Sequence, residues 1–173
     1  MTSSSGKAAD KQKRSMARLA AAQALYVVEQ SGASPDNVLN DILQHGLTGM
    51  TYLPHPDNED SEVEAALAEP DAALLIAIVR GVIARTDDFD AMINAALSRD
   101  WTVGRLELIL RAILRAGACE LANSSAVPAR VVITEYVDVA HAFYAGSEVK
   151  MVNAVLDKIA RLARPDEFTG NGR

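Results

Sequence analysis

The sequence predicts an all-α fold, a compact bundle of about seven helices in which two small helical subdomains share one core. The first observation is a helical repeat of apolar residues, clearest at Leu106, Ile109, Leu110, Ile113, Leu114, Gly117 and Leu121. The second is that no segment alternates apolar and polar residues with the period of two that a strand requires. The third is composition. Alanine is abundant and aromatic residues make up only 5%, so the core must be built from Ala, Leu, Ile and Val.

The first two helices are predicted from helix-forming composition and from a start signal. Residues 10–30 contain no Pro or Gly and many Ala, which favours helix. A second helix begins at Ser34 and Pro35, with Ser as the N-cap and Pro in the first turn, and it runs to about Gln44.

The strongest helical patterns follow from residue 71 onward. The segment at 71–85 is almost wholly apolar, so we expect it to be buried. Four more helices are predicted after it. The first two span 86–98, with Thr86 as the cap, and 105–122. The last two span 128–144, near the middle of the bundle, and the segment from Ser147, as the cap, to Pro165.

The domain organisation is predicted to be simple. Residues 10–165 form one helical domain, with an acidic loop insert at about 46–70 and disordered tails at 1–9 and 166–173. No apolar run reaches the roughly 18 residues that a membrane span needs, and the N-terminus has no signal peptide. A single cysteine, Cys119, fits a reducing compartment, so we expect a cytoplasmic protein without a membrane.

No enzymatic constellation is predicted. Cys119 and His141 lack an orienting partner, and Cys119 in an apolar helix is more simply a small hydrophobic residue. Ser147 and Lys150 match a serine-acylase pattern without its companion motifs. The three His are isolated. We therefore expect a protein that is not an enzyme and has no cofactor and no metal.

The clearest functional signal is a concentration of positive charge at the N-terminus. Five basic residues lie within positions 7–18, namely Lys7, Lys11, Lys13, Arg14 and Arg18, whereas residues 19–79 hold none and carry ten acidic residues. Four of the five, all but Lys13, fall within about 60° of one another on a helix. Because the whole chain has a net charge of −6, this stripe is an isolated positive field. It predicts a nucleic-acid site, with an acidic protein partner or a simple solvated helix end as alternatives.

Longer motifs in the C-terminal third resemble a known family. The segments "LRAGACEL", "VPARVVITEYVDVAH" and "MVNAVLDK", together with "ARLAAAQALY" in the first helix, resemble the NusB family of bacterial transcription antitermination factors. The resemblance spans the first helix and residues 105–163. The sequence departs from the family pattern at Cys119, His141, Met151 and Ala154, which are mostly packing positions.

The resemblance implies a function without catalysis. NusB proteins form a heterodimer with NusE, a small-subunit ribosomal protein. The pair binds boxA, a short single-stranded element of nascent ribosomal RNA, and joins the RNA polymerase antitermination complex. By this resemblance Arg14 and Arg18 belong to an arginine-rich RNA-binding motif, Lys150 and Met151 to a second RNA-facing segment, and Tyr26 to the NusE-facing side.

Two alternatives remain open at the level of the sequence. One is the NusB-like domain that precedes the catalytic part of some ribosomal RNA methyltransferases, although this sequence has no Gly-rich nucleotide-binding unit. The other is a homodimeric protein-interaction module that hides the RNA face.

Overall fold

The computed structural model describes residues 3–47 and 69–170 of the chain. These residues form seven α-helices, listed in chain order as α1 (Ser3–Ser31), α2 (Pro35–His45), α3 (Ala72–Ala84), α4 (Thr86–Ala96), α5 (Leu108–Asn123), α6 (Ala129–His141) and α7 (Ser147–Ala163). Short 3-10 turns at Val103–Arg105 and Pro165–Glu167 complete the described part, which contains no strand. The predicted all-α class is confirmed.

Helix α5 lies at the centre of the bundle. It packs against α1, α3, α4, α6 and α7, and most of its residues are buried. The sequence predicted that the 128–144 helix would hold this position, but that helix, α6, leaves a solvent face on which Val131 is exposed. The wide apolar stripe of α6 reflects contact with both α5 and α7 and not burial on all sides.

Three local predictions differ from the structure. Helix α1 begins at Ser3, so most of the predicted disordered segment 1–9 is helical. Helix α3 buries only one face, with Ile83 exposed, although its sequence is apolar all round. Thr86 does not cap α4, because its hydroxyl donates to the carbonyl of Val82 and closes the end of α3 instead.

The ends of several helices are closed by groups distant in sequence. Arg164 is buried and donates to the carbonyl oxygens of Glu120 and Leu121 in the last turn of α5. The carboxylate of Glu167 accepts from the backbone N–H of Ala129 at 2.7 Å, which satisfies the first turn of α6. Helix α7 starts after Gly146 at φ +100°, a conformation that favours glycine, and Ser147 is its first residue, not its cap.

Most of the predicted acidic insert, residues 48–68, lies outside the described residues. Its end is described, and Asp71 has two roles there. The Asp71 carboxylate accepts from the N–H of Leu74 at 3.1 Å and caps α3, while the Asp71 N–H donates to the carbonyl oxygen of Lys13 at 2.9 Å. The start of α3 is thereby tied to the N-terminal half of α1.

Candidate nucleic-acid interface

The N-terminal half of α1 carries an exposed group of positive charges. Every residue from 5 to 14 is exposed, including four of the five predicted basic residues: Lys7, Lys11, Lys13 and Arg14. These four are called the basic end of α1. Because α1 has 29 residues and rises about 1.5 Å per residue, it is about 43 Å long, and its basic end reaches beyond the bundle core.

A groove runs beside the basic end of α1. It has a volume of about 540 Å³ and lies between α1 and the start of α6. Its lining residues combine cations, two carboxylates and an apolar wall: Lys7, Asp10, Lys11, Arg14, Arg18, Ala126, Val127, Pro128, Val131 and Glu135. We call it the α1–α6 groove. The predicted basic stripe therefore faces a concave surface, the shape that ligand sites usually have.

Arg18 does not lie on the exposed stripe, which corrects the sequence prediction. It is only 2% exposed and forms a buried ion pair with Glu120 of α5, with 2.6 Å between Nη2 and Oε1. Its Nε also donates to Glu120 Oε2 at 3.0 Å. The stripe ends here because α1 enters the bundle between Arg14 and Ala17. Arg18 therefore forms part of the inner lining of the groove and is not an outer contact.

Burial and charge act in opposite directions on Arg18. Burial lowers the pKa of its guanidinium, but the hydrogen bonds and negative charge of Glu120 outweigh burial, so the pKa is raised above its ordinary value. The hydroxyl of the fully buried Tyr136 donates to Glu120 Oε2 at 2.9 Å. Burial, followed by the charge of Glu120, raises the pKa of Tyr136 well above its ordinary value, so Tyr136 stays a neutral donor.

Glu135 is the second carboxylate that faces Arg18. Its Oε2 accepts from the hydroxyl of Ser15 at 2.7 Å and lies 3.5 Å from Arg18 Nη1. Its side chain is only 10% exposed, and it lines the α1–α6 groove. Ser15, Arg18, Glu120, Glu135 and Tyr136 therefore form one polar network that joins α1, α5 and α6. We call it the Arg18 network.

The other predicted site residues lie apart from the groove. Lys150 is exposed in the first turns of α7, and Met151 is half-buried against the core. Neither lines the α1–α6 groove. Tyr26 is half-buried on α1 and packs against the core, two turns beyond Arg18. The structure brings Lys7, Lys11, Arg14 and Arg18 together along the α1–α6 groove, and the second RNA-facing segment that the resemblance implies stays a prediction.

A second charged network, which the sequence did not indicate, joins α1 to α4 and α5. Glu29 accepts from both Arg111 and Arg115, and Arg115 also pairs with Asp90 at 2.7 Å. Arg111 further donates to the carbonyl oxygens of Gly104 and Leu106, just before α5. Near this end, Trp101 is 43% exposed, with the Arg105 guanidinium 5.7 Å from its ring centre.

Sequence reasoning missed Glu120, Glu135 and Tyr136 as site residues, although all three lie in the motifs that carried the family resemblance. A charged residue inside an otherwise apolar helical stripe was the available signal, because such a residue must find a buried partner. Cys119 agrees with its interpretation as a packing residue. It is buried, and burial raises the pKa of its thiol to about 11, which keeps it protonated.

The chain matches known proteins along most of its length. The family model described as "NusB family" matches residues 15–161. The transcription antitermination protein NusB of Rhodospirillum rubrum is 47% identical over 161 residues, covering 90% of this chain and 87% of that protein. The protein of the same name from Nitrobacter hamburgensis is 47% identical over 157 residues, covering 90% and 91%. These names describe transcription factors and not enzymes, in agreement with the prediction of a non-catalytic protein.

Solved structures with the same fold include NusB proteins. T. maritima NusB is 25% identical with a TM-score of 0.67, covering 90% of this chain and 96% of that one. A structure of the antitermination factors NusB and NusE in complex with double-stranded RNA contains a chain that is 23% identical, with a TM-score of 0.63 and coverage of 86% and 96%. In the part of the chain described here, no helix has the length and apolar character that crossing a membrane requires.

Proposed function

The chain belongs to the NusB family, and from that premise we propose that it is a transcription antitermination factor that binds boxA of nascent ribosomal RNA as a heterodimer with NusE. Relatives at 47% identity bear the name of antitermination proteins and are covered over 87% to 91% of their length. A NusB chain of the same fold occurs in a solved complex with NusE and double-stranded RNA. These similarities support the class of activity, a class that acts on nascent RNA in the cytoplasm as part of an RNA polymerase complex.

One observation carries the assignment of the RNA face. The basic end of α1 is exposed, borders the α1–α6 groove and belongs to a chain with a net charge of −6. Positive charge that is concentrated on one edge of an acidic protein gives a directed field for a polyanion. Other arginines in the described part of the chain, such as Arg111 and Arg115, form ion pairs. Carboxylates largely neutralise their positive charge.

The partner surface is proposed at the other end of α1. The resemblance assigns Tyr26 to this side. The segment that carries the exposed Trp101 is tied to the same end of α1, because Arg111 pairs with Glu29 and donates to the carbonyl oxygen of Gly104. Exposed Trp and Arg side chains are enriched among the residues that dominate protein interfaces. The RNA face and the NusE face would then lie at opposite ends of one helix.

The experiment that tests this function measures RNA binding with and without the partner. The anisotropy of a fluorescent boxA RNA is followed on adding the chain, NusE from the same organism, or an equimolar mixture of both. We expect the mixture to bind boxA at least tenfold more tightly than either protein alone and to discriminate against a scrambled RNA. Equal affinity for boxA and scrambled RNA by all three samples would contradict the proposal.

If the chain is instead a homodimeric interaction module, its mass in solution should stay that of a dimer when RNA and NusE are added. Light scattering of the chain alone gives its mass, and titration with boxA RNA and NusE shows whether that mass is redistributed. A dimer that persists unchanged in the presence of both would favour a self-pairing module over the proposed heterodimer.

A further inference from the structure

The α1–α6 groove combines cations with a carboxylate that simple phosphate binding does not explain. Four basic residues line it, but Asp10 and Glu135 line it as well. A carboxylate repels a phosphate group, so a groove that served only to hold the RNA backbone would be better without one. The groove therefore has the features of a site that reads a base as well as holding a phosphate.

Glu135 has one carboxylate oxygen free to accept a hydrogen bond. Its Oε2 accepts from Ser15 and faces Arg18, whereas its Oε1 accepts no hydrogen bond from the residues in the described ranges. Oε1 is not sealed from solvent, and Glu135 lines the groove, although its side chain is 90% buried. A buried carboxylate held by Ser15 and Arg18 cannot turn away, so Oε1 is a fixed acceptor at the inner end of the groove.

One wall of the α1–α6 groove is apolar and fits the flat face of a base. Val127, Pro128 and Val131 line that wall, and Val131 is 45% exposed. Apolar side chains that face solvent at a site bordered by cations provide a surface on which an unstacked base loses contact with water. Arg14 on the facing helix offers a planar guanidinium for the other side of the ring.

We propose that the α1–α6 groove binds one unstacked guanine base of the RNA, with the Glu135 carboxylate accepting from the guanine N1–H and its exocyclic amine. This inference rests on the proposed function, since it specifies what the RNA face recognises. Guanine alone among the four RNA bases presents two adjacent donors on its Watson–Crick edge. Adenine and cytosine place a ring acceptor beside their amine, and uracil places carbonyl acceptors on both sides of its single donor, so each directs a lone pair at a carboxylate.

The charged groups of the groove have two different roles in this proposal. Lys7 and Lys11 on the outer face of α1 hold the flanking phosphates, which any RNA sequence supplies. Glu135 provides the discrimination, because a base without two adjacent donors would direct an acceptor at Oε1 in a poorly solvated site. Because Oε1 would accept from both donors of one guanine, we expect at least a tenfold preference for guanine, which corresponds to about 1.4 kcal/mol.

The test uses a nine-nucleotide oligouridine with one central position changed. The full-length chain is titrated with RNAs that carry guanosine, inosine, adenosine or uridine at that position. Inosine lacks the exocyclic amine but keeps N1–H. We expect guanosine to bind best, inosine to be several-fold weaker, and adenosine and uridine to be at least tenfold weaker than guanosine.

Substitution of Glu135 tests the same contact from the protein side. Glu135→Gln replaces one acceptor oxygen with a donor amide, and the guanosine preference over adenosine should fall to less than about twofold. Asp138→Asn is the matched control, because Asp138 is an exposed acid one turn further along α6 and does not line the groove. That variant makes the same charge change and should keep the full preference.

The outcomes separate this inference from the function on which it rests. Equal affinity of the unmodified chain for all four RNAs, with strong salt dependence, would overturn the guanine site and leave RNA binding intact. Absence of binding to every RNA, even with NusE, would overturn the proposed function and the site together. If Glu135→Gln fails to fold, as a thermal melt would show, the four-base series on the unmodified chain still decides the question.

Discussion

Arg18 fixes the long first helix to the rest of the molecule. It lies where α1 enters the bundle, and it pairs with Glu120 of α5 while facing Glu135 of α6. Removing one member of a buried ion pair leaves an uncompensated charge in a poorly solvated place, which costs more than the pair itself contributes. At the scale of single residues, the buried Arg18 therefore stabilises the junction of α1, α5 and α6 beside the groove.

The first prediction contrasts two arginines four positions apart. Arg18→Met removes the cation beside Glu120 and should lower the free energy of unfolding by about 3–5 kcal/mol. Arg14→Met, on the exposed part of α1, should change it by no more than about 0.5 kcal/mol. Urea denaturation of both variants and the unmodified chain measures the difference. Similar stability of the two variants would contradict the buried role of Arg18.

The second prediction concerns Trp101, the exposed aromatic residue at the proposed partner side. Trp101→Ala should weaken NusE binding by about tenfold or more, because interface tryptophans commonly contribute about 2 kcal/mol or more. Isothermal titration with NusE provides the affinity. The control is Leu162→Ala, which truncates a side chain that is 79% exposed on α7. A loss shared by both variants, or absent from both, would argue against a specific role of Trp101.

Individual residues show where sequence reasoning reaches its limit. The helical period correctly placed Lys7, Lys11 and Arg14 on one face of α1, the face that lines the α1–α6 groove, since it requires only the geometry of one helix. It did not predict that Arg18, on the same face, is buried, because the point at which α1 enters the bundle depends on α5 and α6. A partner 102 positions away, Glu120, decides that burial, and no local pattern encodes such a pairing.

Helix α5 and its neighbours show what holds the elements together. Small residues let helices approach closely, and Gly117 is the clearest case. A Cβ built at Gly117 would lie 2.8 Å from Leu156 Cδ1 and 2.9 Å from Cδ2, on the facing side of α7. The central position of α5 therefore depends on the absence of a side chain at this point. The apolar periodicity predicted that Gly117 faces inward, but it did not predict the contact with α7.

The third prediction follows from this close approach. Gly117→Ala should destabilise the protein by about 1–3 kcal/mol, because the fully buried Leu156 has little room to move. Gly104→Ala is the control, since nothing lies within 4 Å of a Cβ built there. Thermal and urea unfolding measure both. A Gly117→Ala variant at least as stable as the Gly104→Ala variant would show that α5 and α7 can separate freely.

The fourth prediction concerns the cap that Glu167 provides to α6. The hydrogen bond from the Ala129 N–H, with help from Arg164, lowers the pKa of Glu167 in the folded state. A lowered folded-state pKa means that this stabilisation is present above the ordinary Glu value of about 4.3 and is lost as the pH falls through the folded value. Glu167→Ala should thus lower the melting temperature at pH 7 and have a smaller effect below pH 4. An equal decrease at both pH values would contradict an ionic cap.

At the scale of the whole molecule, positive charge is concentrated at one end of α1 in an otherwise acidic chain. The basic end of α1 lies outside the bundle, whereas the net charge of the chain is −6. The N–H of Asp71 joins the end of the acidic insert to the backbone of α1 at Lys13. Composition predicted both the positive N-terminus and the acidic insert, but it did not predict the contact of Asp71 with Lys13, 58 residues away.

Under the proposal, the basic end of α1 supplies affinity for RNA and the inner end of the groove supplies specificity. Lys7, Lys11 and Arg14 supply charge that any single-stranded RNA would neutralise, and such binding depends strongly on salt. The inner end of the groove, formed by Glu135 and the apolar wall, is fixed by the Arg18 network. The proposed function depends above all on the exposed basic end of α1 being the RNA-binding face.

The most direct test of that claim reverses the three basic residues of α1 that line the groove from its exposed side. The boxA affinity of Lys7→Glu/Lys11→Glu/Arg14→Glu is measured with NusE over a range of salt concentrations. The control is Arg80→Glu/Arg85→Glu/Arg99→Glu, which makes the same charge change at exposed residues outside the groove. We predict at least a hundredfold loss for the first variant, with a log–log salt slope shallower by about two, an unchanged melting temperature, and little loss for the control. Retained boxA affinity in the α1 variant, or an equal loss in both, would contradict the account.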